Sequence, residues 1–447
     1  MSLVQRKLKP SGVDWIGDVP EGWGIDKFCY RFDFAKGLNI TKQDLTETGV
    51  PVVSYGQIHS KRNDGVHLTD ELLRHIPAEL TKGEYAARLK RNDFVFADTS
   101  EDVEGIGNCV TVNRDEVIYA GYHTLVARPI EKVNCGYFGY LFKSECWRQQ
   151  LRRKANSVKV YSISQRLFKG VSILLPPLDE QKRIAAKLDR LCGRVDELAE
   201  NLKGEIAALQ EYRKSLITEC VTKGLNPKAK MKPSGVDWIG DVPEEWTVMR
   251  LKYGVTKIGS GKTPLGGATV YSDDGVLFIR SQNVYDNGLV TEDIEYISPE
   301  IDDGMANSRV QNGDVLLNIT GGSIGRSCVY SLDKRANVNQ HVCIIRVAPS
   351  ELVNAYVKYF INGFNKIIVN GNQQGGNRES LNFEQIGNLK ICVPPFDEQG
   401  HIAAFLDKRC AVVDAMIAER QRQLEKLGEY RSSVIYEYVT GKKEVSA

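Results

Sequence analysis

Two stretches of the chain carry apolar residues at helical spacing for far longer than a globular helix needs. In the first, Ile184, Leu188, Leu191, Val195, Leu198, Leu202, Ile206, Leu209 and Leu216 follow one another at steps that alternate between four and three, with a slip near Leu202. This is the seam of a coiled coil with a stutter. The second stretch repeats it through Ile402, Leu406, Cys410, Val413, Ile417, Leu424, Leu427 and Val434. Each predicts a helix of about forty residues, roughly 60 Å long at 1.5 Å per residue. A stripe of that length needs a partner, and the nearest is the other copy. Antiparallel pairing would hold two globular heads apart as in a dumbbell. Elsewhere the pattern changes to short apolar or alternating runs: Val50–Tyr55, Phe94–Ala97, Val110–Val112, Leu125–Arg128, Val276–Ile279, Val315–Ile319 and Val342–Val347. These predict strands. Helical stretches are expected at about Cys135–Lys154 and Val353–Val369, with Gly- and Asn-rich loops between.

The chain is written twice. Residues 9–21 and 232–244 both read KPSGVDWIGDVPE, and Trp23 and Trp246 follow at the same spacing. A second pair, PPLDEQKRIAAKL from Pro176 and PPFDEQGHIAAFL from Pro394, opens the two long helices. Pro-Pro cannot continue a helix backwards, and Asp179 and Asp397 then stand where a carboxylate suits the helix dipole. The segments between leader and helix show little obvious similarity. The expected class is therefore α+β: two mixed α/β heads separated by two long helices in an antiparallel coiled coil, related by a pseudo-twofold repeat. The expected boundaries are 1–175 for the first head with its leader at 8–23, 176–224 for the first long helix, and 225–246 for linker and second leader. The second head follows at 247–393, the second long helix at 394–441, and a tail at 442–447.

Composition alters this picture little. Lys and Arg total 59 against 57 Asp and Glu, a net charge of only +2, so a polyanion partner would have to meet a local patch. One such stripe lies between Lys143 and Gly170, where Lys143, Arg148, Arg152, Arg153, Lys154, Lys159, Arg166 and Lys169 face a single acid, Glu145. It reads either as a groove facing a polyanion or as a solvated helix face. The ten cysteines lack CxxC pairs or zinc spacing, which fits reduced, buried thiols in a cytoplasm. The basic opening MSLVQRKLKPSG lacks an apolar core for a secretory signal, and no apolar run reaches bilayer length.

Patterns that suggest catalysis fail on inspection. Gly259-Ser260-Gly261-Lys262-Thr263 ends like a phosphate loop, but Thr256 stands where that loop needs glycine, and Pro264 follows. Val393-Pro394-Pro395-Phe396 lacks the polar first residue with which adenine methyltransferases hold the target amine. Glu180-Gln181-Lys182 is duplicated as Glu398-Gln399-Gly400, which loses the lysine a nuclease would need. The six histidines form no metal-binding or triad pattern. No catalytic residue, resident cofactor or metal is expected: the chain binds.

The paired LPPLDEQKRIAAKL and VPPFDEQGHIAAFL openings, the helices behind them and the paired VDWIGDVPExW leaders resemble the specificity subunits of Type I restriction–modification enzymes over nearly the whole chain. Gly313-Asp314-Val315-Leu316, Gly321-Gly322-Ser323-Ile324-Gly325 and Asn339-Gln340-His341-Val342 look like that family's target-recognition domains. Arg91–Phe96 and Gly121–Thr124 form a diverged counterpart. The resemblance implies that each head reads half of a bipartite site in double-stranded DNA, with the coiled coil setting the spacer. It also implies two methyltransferase subunits bringing S-adenosylmethionine and two motor-nuclease subunits bringing ATP and Mg, so that all chemistry resides in partners. A two-headed adaptor that does not bind DNA is the alternative.

Side chains that pair with bases are amides for adenine and guanidinium for guanine. In the second head these are Arg280, Gln282 and Asn283; Asn339, Gln340 and His341; and Gln373, Gln374, Asn377 and Arg378. Lys262, Thr263, Thr320 and Ser323 suit phosphate, which positions without specifying. In the first head the candidates are Tyr55, Gln57, His59, Lys61 and Arg62, then Thr99, Ser100, Tyr122 and His123, then Lys154, Ser157, Lys159, Tyr161 and Ser162. His123 and His341 stand near strand starts, where a structural role is equally open.

Overall fold

A computed structural model describes residues 7–13, 16–155, 161–162, 164–371 and 380–445. Its fold is α+β, with two α/β domains and two long helices that pair antiparallel. The long helices span Leu178–Lys223 and Phe396–Val439. The chain forms two compact units, Met1–Asn201 with Gln423–Ala447, and Leu202–Arg422. Neither long helix belongs to one unit.

Within the second unit, Glu205 pairs with Arg420 and Arg213 with Asp414, so numbers rise on one helix as they fall on the other. In the first unit Arg431 lies 3.4 Å from Asp196. Partly exposed pairs such as these contribute about 0–1 kcal/mol each. Apolar burial does more: Ile184, Leu188 and Cys192 pack in the first unit with Val434, Ile435, Tyr438 and Val439, and Ile402, Leu406 and Cys410 in the second with Ile217, Cys220 and Val221. One residue of the expected seam departs. Leu198 is 51% exposed.

Each unit holds a four-stranded antiparallel sheet and a mixed sheet, three-stranded in the first unit and four-stranded in the second. In the first, Phe32–Lys36, Thr124–Pro129, Phe94–Ala97 and Cys109–Thr111 make a four-stranded antiparallel sheet. Val50–Val53 pairs with Arg74–Ile76 and, in parallel, with Tyr119–Ala120. In the second, Val255–Ser260, Val342–Val347, Val315–Asn318 and Ser327–Val329 form the antiparallel sheet. Val276–Ile279 pairs antiparallel with Glu295–Ile297 and parallel with Ala336–Val338. The helix expected over Cys135–Lys154 is two, Cys135–Lys143 and Glu145–Arg152, because extended Ser144 ends one and begins the other. Its counterpart Asn354–Gly371 is continuous.

The repeated motifs attach each head to the coil. The indole of Trp23 donates to Glu180 Oε2 and that of Trp246 to Glu398 Oε2, each at 3.0 Å. Gln181 and Gln399, both buried, accept the backbone N–H of Asn134 and Val353 and return their amide N–H to Pro176 O and Pro394 O. The phenol of Tyr137 donates to Val439 O and that of Tyr356 to Val221 O, both at 3.1 Å. Tyr140 and Tyr359 donate to Asp189 and Asp407. Each head thus sits on the start of its own long helix and the end of the other.

None of the ten cysteines forms a disulfide, and eight are buried. Burial pushes the thiols of Cys109, Cys328, Cys343 and Cys392 up to about 12, which keeps them protonated. Among the described residues, no helix is long and apolar enough to cross a membrane.

Candidate nucleic-acid interface

Two strands of the antiparallel sheet in each head end side by side and give rise to the loops that carry most candidate residues. In the first head the backbone N–H of Asp98 donates to His123 O at 3.0 Å; in the second that of Ile319 donates to His341 O at 3.0 Å. His123 and His341 are therefore the same position in two copies, a correspondence the diverged inserts conceal.

In the first head this junction gathers eight candidates. The Tyr55 ring lies 6.1 Å from His59 and 5.4 Å from both Tyr122 and His123. Tyr161 and Ser162 pair with Ser100 and Thr99. His123 is held at φ 55, a left-handed backbone uncommon outside glycine, with Nδ1 3.3 Å from Asp98. Lys61 and Arg62 are exposed on the turn after Tyr55–Ile58, and Arg62 lies 3.4 Å from Glu71. Gln57 caps its own helix by accepting from Ser54 N. Lys154 stands apart, donating to Gly170 O.

Several expected base or phosphate contacts are committed to the scaffold instead. His59 Nδ1 accepts from the Asn108 amide at 3.0 Å, so Nε2 carries the proton and donates to Thr99 O at 2.8 Å; neither nitrogen is left for a base. Ser100 is buried, and its hydroxyl donates to Asp102 O. The first part of the basic stripe is tied to the scaffold as well. Lys143 donates to Asn63 O, Arg148 to Ile106 O and Glu104 O, and Arg152 to Glu104 O. Burial holds Lys143 below the usual lysine range. Arg153, Lys154 and Arg166 remain exposed.

In the second head Thr263, Thr320, Gln340 and His341 join in one hydrogen-bonded chain. Thr263 Oγ1 donates to Gln340 Oε1 at 2.6 Å, Gln340 Nε2 donates to His341 Nε2 at 3.0 Å, and His341 Nδ1 meets Thr320 Oγ1 at 2.5 Å. Lys262 and Gln282 are exposed. Ser323 accepts from Asn318, which also donates to Ser281 O. Asn283 is 1% exposed, its amide joined to Arg280 N and Val290 O, so it shapes the loop. Arg280 lies over the Tyr271 ring, donates to Asp293 O and pairs with Glu295 at 3.2 Å. Asn339, 9% exposed, accepts from His341 N. Ser157, Lys159, Gln373, Gln374, Asn377 and Arg378 lie outside the described residues.

The sequence reading missed Asn108, Asp98 and Asn318, which hold the loops. Asn318 carries a local signal, as the one polar residue in the buried strand Val315–Asn318. Asn108 and Asp98 carry none, since their roles depend on partners 25 to 49 residues away. Also missed were Gly37 and Gly261, where the chain crosses this junction. A Cβ at Gly261 would lie 1.6 Å from Val338 O, and one at Gly37 2.0 Å from Gly121 O. Gly261→Ala is therefore expected to force the 260–263 loop off the sheet and to cost about 1–3 kcal/mol. Chemical denaturation reads the loss; an unchanged midpoint would mean that the loop yields freely.

Among the described residues no three His, Cys, Asp or Glu side chains are grouped to hold a metal ion. The arrangement presents hydrogen-bonding and aromatic side chains on paired loops, in two copies.

The model of the Type I restriction modification DNA specificity domain matches residues 32–208 and 243–426. The chain is 21% identical over 436 residues to the Type I restriction enzyme EcoKI specificity subunit of Escherichia coli K12, covering 94% of this chain and 89% of that one. It is 23% identical over 317 residues to the Type I restriction enzyme MjaVIII specificity subunit of Methanocaldococcus jannaschii, covering 68% and 70%. A solved chain from work on complex assembly and conformational transition of the type I R-M system shares the fold, with a TM-score of 0.69 at 18% identity over 95% of this chain and 99% of that one.

Proposed function

The chain belongs to the Type I restriction–modification DNA specificity family, and on that premise we propose that its two heads each read one half of a bipartite site in double-stranded DNA. The observation that carries this is the duplicated junction: equivalent loops, built on equivalent strands, present different side chains in the two heads. A reader of two unlike half-sites needs one scaffold and two chemistries. The long helices set the spacing between half-sites and dock two methyltransferase subunits. These supply S-adenosylmethionine chemistry, while two motor-nuclease subunits supply ATP- and Mg-dependent translocation and cleavage. The chain itself contributes binding and no catalytic group, and works in the cytoplasm.

Exposed Lys61, Arg62, Lys262 and Arg166 suit phosphate contacts, which fix register. Co-expression with its methyltransferase, followed by mapping of N6-methyladenine across a plasmid library, tests the proposal. A split motif with a fixed gap supports it. A folded, donor-bound methyltransferase that marks no motif would favour the adaptor reading.

Arg378, with Gln373, Gln374 and Asn377, is the proposed base-reading segment after helix Asn354–Gly371. Arg378→Ala is expected to weaken specific binding by about 1–3 kcal/mol if the guanidinium meets a guanine. Gel shifts on specific and random duplexes check it: equal loss on both would make Arg378 a phosphate contact.

A further inference from the structure

We propose that Gln340 reads an adenine in the half-site of the second head, and that Thr263 and His341 are positioning residues that hold its amide for the purpose. This rests on the DNA-reading function proposed above and assigns one base class to one residue.

A free glutamine on a surface loses side-chain entropy when it pairs with a base, which weakens both affinity and discrimination. Gln340 is exposed, yet its amide is held at both ends. The carbonyl oxygen accepts from Thr263 Oγ1 at 2.6 Å, and the amide nitrogen donates to His341 Nε2 at 3.0 Å. With Nε2 as an acceptor, the His341 proton sits on Nδ1 and donates to Thr320 Oγ1 at 2.5 Å, which fixes the ring in turn. A primary amide has two N–H groups and two carbonyl lone pairs. One of each is used, so among the described residues one donor and one acceptor remain. Adenine presents the complement in the major groove, N7 accepting and N6 donating. Guanine, with two acceptors there, satisfies only the donor.

The first head supports the same assignment by contrast. Tyr122 precedes His123 as Gln340 precedes His341, and the two histidines occupy equivalent places at the sheet junction. In the first head that position carries an aromatic ring packed 5.4 Å from Tyr55; in the second it carries an oriented amide. The fold holds the position constant and varies its chemistry, as a specificity-determining site requires.

The test uses the full chain assembled with its methyltransferase, acting on a plasmid library that carries every single-base variant of the wild-type motif. Gln340→Ala is expected to reduce the preference for adenine at one position of one half-site by roughly tenfold to a hundredfold. The other half-site stays as in wild type, which also reports that the variant is folded. Thr263→Val weakens the same preference without changing the favoured base, and Thr263→Ser, which keeps the hydroxyl, restores it. Gln340→Ala that leaves every adenine preference intact, while wild type yields a split motif, would overturn the assignment and leave the two-headed reading standing. Wild type that yields no motif overturns that reading, and the assignment with it.

Discussion

Four residues inserted into each long helix, after Asn201 and after Arg422, are expected to widen the gap between half-sites by one or two base pairs. Both positions are the limits of the two compact units, so the insertion lengthens the coil and leaves the packing inside each unit alone. Four residues add about 6 Å of helix, against about 3.4 Å per base pair of duplex. They also rotate the helix by about 40° beyond a full turn, and matched insertion applies this to both partners. Methylation mapping reads the outcome directly. An unchanged gap, with both half-sites still recognised, would remove the coiled coil as the ruler. The pairs of Arg213 with Asp414 and Arg420 with Glu205 lie inside the second unit and should survive the insertion.

Trp246→Ala is expected to cost the second unit about 3–5 kcal/mol, the range for removing a large buried aromatic. The indole is 1% exposed and donates to Glu398, and a Cβ on Gly224 would lie 3.1 Å from its ring. Leader, helix start and helix end therefore meet on one side chain. Trp23 does the same in the first unit, where a Cβ on Gly441 would lie 3.0 Å from its ring. Trp23→Ala should produce a loss of the same size there. Trp238, only partly buried against Phe360 and Phe364, should cost less when truncated. Denaturant unfolding of the three variants checks the ranking. Equal, small losses throughout would show that the leaders merely lie on the heads.

These expectations follow from motifs that were visible in the chain, whereas the reading residues were visible only as types. The leaders and the PPxDEQ segments recur because each must fit the same socket. Glu180 and Glu398 hold an indole, and Gln181 and Gln399 close a helix start. The heads share an antiparallel sheet of the same strand order, but only a few side chains keep the correspondence. Tyr137 with Tyr356, Tyr140 with Tyr359 and the pairs of buried Asp93 with Arg128 and buried Asp314 with Arg346 do so. Such isolated identities do not stand out along a line of otherwise different residues.

By itself, the sequence determined what depends on neighbours a few positions apart. Helical period, Pro-Pro boundaries and alternating strands are local, and a long repeat is unmistakable wherever it falls. Hence the two long helices, their pairing and the α+β heads were legible. Only the tertiary structure decided which polar groups are free to act, because that depends on partners remote in the chain. Arg148 and Arg152 are spent on the carbonyl of Glu104, 44 and 48 residues away, and His59 on Thr99 and Asn108. Thr263 meets Gln340 across 77 residues. A buried donor or acceptor must be satisfied by whatever the fold brings near it, and composition does not reveal what that will be.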